Sequence, residues 1–193
     1  MKKIGVCLAL SCLIPLCGCV GGARGREPEN TVLAQVVGVD RMGEVWLLTA
    51  AGKDHTGKTV LQKAEGGSLG EAFAALSAAG ETWVSVTGVS DFLLGDGAEL
   101  KEILLFILDD SGMSWRASVW YVPIAGAVME EQETGGGDRL TVLKESGAAS
   151  RSVLDVLVEL EETGKTTLPA LTARDGKLTV GGTIHYERRE KGA

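Results

Sequence analysis

The apolar positions of the chain follow two different periods, and their succession sets out an α+β domain. From Thr31, the run Val32-Leu33-Ala34-Gln35-Val36-Val37-Gly38-Val39 is β-branched and mostly apolar, the pattern of a strand inside a sheet. Asp40 to Gly43 reads as a turn and Glu44 to Ala50 as a returning strand, which together predict a β-hairpin. A polar loop, Gly52 to Gly57, leads to a weaker third strand, Lys58 to Ala64. The period then changes. Leu69, Ala72, Phe73 and Leu76 recur at helical spacing behind Ser68-x-x-Glu71, a capping-box pattern, so a helix is expected from Ser68 to Ala79 and Gly80 ends it.

Thr82 to Thr87 alternates polar and apolar residues as a half-buried strand does. A second helix is expected over Ala98 to Leu108. Its stripe of Leu100, Ile103, Leu104, Ile107 and Leu108, widened by Leu105 and Phe106, predicts burial on more than one side. Trp115 to Val122 reads as a strand stopped by Pro123, and the strand–helix–strand order favours a right-handed crossover within one sheet. Ile124 to Glu131 reads as a short helical piece, and Gln132 to Asp138, acidic and then glycine-rich, as a mobile connector. A third amphipathic helix follows over Ser152 to Thr163, capped by Ser152 with Asp155 and ended by Gly164. Leu168 to Leu171 is extended, Asp175-Gly176 turns the chain, and Lys177 to Arg188 closes it as a strand. The expectation is a mixed β-sheet with about three packed helices over residues 31–193.

The first thirty residues follow neither period. Lys2 and Lys3 precede an apolar run from Ile4 to Leu16, and Leu16-Cys17-Gly18-Cys19 resembles a bacterial lipobox. A charged start, a short apolar middle and a small-residue exit make a secretory signal. The run is broken at Gly21-Gly22-Ala23-Arg24, short of the roughly 20 apolar residues that span a bilayer. The expectation is a signal peptide over residues 1–18, lipidation of the Cys19 sulfur, and a flexible spacer over residues 19–30. A chain so processed sits on the outer face of the cytoplasmic membrane, held by membrane lipid through Cys19.

Charge and cysteine usage narrow the chemistry. The net charge is −7, the opposite of a nucleic-acid footprint, so no nucleic-acid partner is expected. All four cysteines, Cys7, Cys12, Cys17 and Cys19, fall in the first 19 residues, so the exported domain is expected to hold neither disulfides nor thiolate metal sites. His55 and His185 have no nearby carboxylate pair or thiol with which to build a metal site or a nucleophilic triad. Ser85, Ser90 and Ser111 lack the Gly-x-Ser-x-Gly setting of a nucleophile elbow, and Gly135-Gly136-Gly137 neither follows a strand nor opens a phosphate-binding helix. Asp109-Asp110 could hold a cation, although an acidic pair at a helix end is usually solvated. Trp83, Trp115 and Trp120 lie on predicted strands and are expected in the core, with an exposed one suited to a partner surface. No catalytic residue, cofactor or metal site is expected.

Taken together, the lipobox, the spacer, the hairpin with Gly38-Val39-Asp40 at its turn and the helix Glu71-Ala72-Phe73-Ala74-Ala75-Leu76-Ser77 resemble the N-terminal part of the Ger(x)C family. These are the C-subunit lipoproteins of nutrient germinant receptors in spore-forming bacteria. Leu104-Leu105-Phe106-Ile107-Leu108-Asp109-Asp110 is similar to the family's helix ending in an acidic pair, and Leu168-Pro169 through Gly182-Thr183-Ile184 to the region that follows. Val86-Thr87-Gly88-Val89 departs from the Gly-His pair usual there, and family members continue into additional domains. The resemblance implies a non-catalytic scaffold or assembly subunit, partnered by integral-membrane receptor subunits and located at the spore inner membrane. The rival expectations are a small solute-binding or envelope-associated lipoprotein without a germination role, and an envelope enzyme.

Overall fold

The computed structural model describes residues 31–78, 82–109, 112–132, 136–174 and 177–188. The expected signal peptide, Cys19 and spacer lie outside these residues, as do Gly80, Asp110 and the Asp175-Gly176 turn.

The expected hairpin forms. Strand β1 (Thr31–Met42) pairs antiparallel with β2 (Val45–Lys53), and β2 with β3 (Thr59–Gly66). Helix α1 (Leu69–Ala78) starts as the capping pattern requires: Ser68 Oγ accepts from the Glu71 N–H at 3.2 Å, and the Glu71 carboxylate takes the Gly67 N–H at 3.0 Å. Two short strands follow, β4 (Trp83–Ser85) and β5 (Asp91–Leu94), both parallel to β1. Helix α2 (Leu100–Asp109) then crosses to β6 (Ser118–Tyr121), which is parallel to β5. After it come α3 (Ala125–Glu131), α4 (Gly137–Glu145), the two-residue β7 (Arg151–Ser152) and α5 (Val153–Thr163). The antiparallel pair β8 (Lys165–Arg174) and β9 (Lys177–Glu187) completes a nine-stranded mixed sheet. Its order is β3-β2-β1-β5-β6-β8-β9, with β4 paired to β1 and β7 to β6.

Side chains alternate across the central strands and so divide the apolar interior in two. Val37, Val39, Phe92, Leu94 and Val119 face one core, closed by Phe73 of α1, Leu104 of α2 and Leu157 of α5. Val36, Leu93, Trp120 and Val122 face a second core, closed by Met129 of α3 and Leu140 of α4. Helices therefore cover both faces of the sheet.

Several expectations are corrected. The described residues hold five helices rather than about three. Gly137 and Asp138, expected in a connector, open α4; this helix buries little besides Gly137 and Leu140, so its apolar stripe is too thin to stand out. Strand β5 was not expected, because all four of its residues are buried and it shows no alternation. The strand expected from Trp115 begins only at Ser118, and Trp115 is 45% exposed in a turn. In α2 the burial is one-sided: Leu100, Ile103, Leu104 and Ile107 are buried and Leu105 is 40% exposed. Asp40, expected in a turn, lies inside β1, which continues to Met42.

Candidate functional site

Asp91, the first residue of β5, is fully buried with a charged side chain, and the surrounding elements supply what such a group needs. Trp120 Nε1 on β6 donates to Oδ1 at 2.8 Å, and Ser90 Oγ donates to Oδ2 at 2.7 Å. Lys144 Nζ on α4 reaches Oδ1 at 3.1 Å and Oδ2 at 2.9 Å. The four contacts saturate a carboxylate's acceptor capacity. Asp91 thus positions rather than reacts: it fixes the Trp120 indole and draws the last turn of α4 onto the sheet.

Above this pair opens a cavity of about 360 Å³ between the Thr87–Ser90 loop, the Ser114–Ser118 approach to β6, and Lys144. The hydroxyls of Ser90, Ser114 and Ser118 and the cations of Lys144 and Arg116 belong to residues that line it, and among the described residues no Asp or Glu does. Arg116 packs its guanidinium over the exposed Trp115 ring, 4.7 Å from the centroid. Trp115 does not line the cavity and borders it only through this stack, and Arg116 was not singled out by sequence; the signal was only an aromatic–cation pair beside serines.

A second buried carboxylate explains the Gly38-Val39-Asp40 stretch. Asp40 Oδ1 accepts the Ala125 N–H and Oδ2 the Gly126 N–H, each at 2.8 Å, so a side chain from β1 caps α3 across 85 positions of sequence. The residue at the cap position itself, Ile124, makes no side-chain cap bond. A Cβ at Gly95 would collide with the Asp40 carboxylate, and one at Gly38 would come within 2.8 Å of Met129 Sδ. Glycine at both positions lets α3 lie against the sheet.

Near the other ends of β5 and β6, Tyr121 donates its hydroxyl to Asp96 Oδ1 at 2.6 Å. The hydrogen bond to Asp96, with burial and the negative charge beside it, raises the Tyr121 pKa above its usual 10.0. Burial pushes the half-buried Tyr186 up to about 12, helped by the charges of Tyr121 and Asp96.

The residues weighed from the sequence are not brought together. His55 is exposed in the β2–β3 turn, and His185 is exposed on β9 opposite Thr167. Ser85 Oγ is hydrogen-bonded with Thr87 Oγ1 at 2.9 Å, Ser90 serves Asp91, and Ser111 lies outside the described residues. Among the described residues no three His, Cys, Asp or Glu side chains cluster as a metal site, and no helix is long and apolar enough to cross a membrane. Of the tryptophans expected in the core, Trp120 is buried, Trp83 is half-buried and Trp115 is exposed. Comparison with protein-family models, with curated proteins and with solved structures gives no match to this chain.

Proposed function

We propose that the chain is a lipid-anchored, non-catalytic assembly subunit of a spore nutrient germinant receptor, tethered through Cys19 to the outer face of the membrane that carries its integral partners. The observation that carries the reading is the Leu16-Cys17-Gly18-Cys19 lipobox behind a short apolar run, with Cys19 twelve positions ahead of the first strand at Thr31. The resemblance to the Ger(x)C lipoproteins supplies the receptor. The residues of that resemblance that lie in β1 have strong structural duties, since Gly38 and Asp40 seat α3. The mechanism is placement: two lipid chains hold the domain stably where one does not, and confinement raises its concentration near integral partners.

Labelled fatty acid should enter the wild-type protein and not Cys19→Ala, which should accumulate as a longer precursor. In a sporulating host, deletion or Cys19→Ala should impair nutrient-triggered germination and spare a receptor-independent trigger. The His55→Ala, His185→Ala double variant should germinate normally. Pull-down from spore membranes should recover integral receptor subunits; normal nutrient germination after deletion, with no such subunit recovered, would retire the receptor role. The polar cavity favours one rival, a small solute-binding lipoprotein, which ligand-induced thermal stabilisation would reveal.

A further inference from the structure

We propose that the cavity beside Lys144, together with the Trp115–Arg116 stack, is a docking site for the headgroup phosphate of an anionic phospholipid. This rests on the reading that the chain is anchored through Cys19. The chain enters the described fold at Thr31, and the twelve residues from Cys19 to Asn30 span at most about 40 Å even fully extended. The cavity lies on the same side of the fold. Its loop is bonded to β1 at Gln35, whose carbonyl accepts the Ser90 N–H at 2.9 Å, only four residues and about 13 Å along the strand from Thr31. The opposite end of β1, at Met42, is about 36 Å from Thr31.

The lining suits a phosphate diester. Lys144 gives two of its three ammonium protons to Asp91, which holds it in place and leaves the third for a ligand. Asp91 cancels one positive charge, so the unbalanced cation is Arg116, which makes no ion pair among the described residues. An arginine fork with serine hydroxyls matches phosphate oxygens. An exposed tryptophan beside a cation suits the headgroup level of a bilayer, where an indole can bury its ring and keep its N–H wet. The chain as a whole carries −7 and is repelled by an anionic surface, so a local cationic face with no carboxylate among the described residues of its lining sets which side approaches.

The test uses the mature lipidated protein in phosphatidylcholine vesicles, with and without phosphatidylglycerol, carrying lipid brominated close to the headgroup. Tryptophan quenching should be several-fold stronger with phosphatidylglycerol, should weaken as salt rises, and should be lost in Trp115→Phe. Arg116→Glu, an exposed substitution that leaves the Asp91–Lys144 pair intact, should make quenching independent of lipid charge. Equal quenching in both vesicles, or no effect of Arg116→Glu, would overturn the proposal. Inorganic phosphate is added separately to detergent-solubilised protein. A shift in Trp115 emission there, with vesicle quenching still indifferent to phosphatidylglycerol, would mark a free-oxyanion site and likewise overturn lipid docking. Fatty-acid labelling reports the anchor independently, so labelled protein that fails to dock separates the two failures.

Discussion

Asp91 and Lys144 meet where a carboxylate has no access to water, so removing the ammonium leaves a buried charge rather than a simple gap. Lys144→Met should therefore destabilise the fold by about 3–5 kcal/mol, and an Asp91→Leu, Lys144→Met double variant should recover a large part of that loss. Urea unfolding measures both, and a cost for Lys144→Met below about 1 kcal/mol would show that the carboxylate is not isolated as described. The two tyrosines give a second test at this scale, because Tyr121 and Tyr186 are the only ones in the chain and both are raised. Absorbance titration of the native protein should place both tyrosinate steps at higher pH than in the urea-unfolded protein, with the Tyr186 step near about 12. A raised native value means that the folded protein holds the proton longer. Tyr186 thus contributes stability that is full below pH 10 and is lost as pH rises towards about 12.

At the scale of elements, α2 separates burial from mere hydrophobicity. Leu104 is fully buried and Leu105, its neighbour, is 40% exposed. Leu104→Ala should cost on the order of 2–5 kcal/mol and Leu105→Ala within about 0.5 kcal/mol, both from equilibrium unfolding. Similar costs at the two positions would contradict the one-sided packing. Helix α3 depends on a strand residue for its start, so Asp40→Ala should cost roughly 1–2 kcal/mol. Helices α1 and α5 were legible because their caps are local: Ser68 with Glu71, and Ser152 with Asp155, whose N–H donates to Ser152 Oγ at 3.1 Å. The start of α3 was not legible in that way, since the group that satisfies its first N–H groups sits 85 residues earlier.

Across the whole molecule, exposed ion pairs join separate elements, some distant in sequence and some consecutive. Lys101 of α2 pairs with Glu161 of α5, and Lys165 of β8 with Glu187 of β9. Hydrogen bonds and nearby cations lower the carboxyl pKa values of Glu159, Glu161 and Glu187 below 4.5: Thr166 and then Arg151 act on Glu159, Lys101 chiefly on Glu161, and Lys165 on Glu187. A depressed folded value means that the unfolded chain binds protons first. The contribution is therefore present above pH 4.5 and is lost as pH falls through the lower native values. The urea midpoint should drop in that window, and by less at high salt because these pairs face solvent. A midpoint that holds constant from neutral pH through the carboxylate range would count against these pairs.

The sequence by itself determined the α+β class, the β1–β2 hairpin, α1 and α5, because each is written in periods and caps that close within a few residues. It also carries Leu16-Cys17-Gly18-Cys19, a linear stretch that resembles a lipobox and on which the proposed anchoring rests. Only the tertiary structure decided the sheet order, the division of five helices between two faces, and the meeting of Asp91, Trp120, Ser90 and Lys144. Asp91-Phe92-Leu93-Leu94 is buried on both faces and so carries no alternation, and an isolated buried aspartate has no local pattern that names its partners. Lys144 comes from 53 positions away, and its value to Asp91 exists only once the sheet and α4 have excluded water around them.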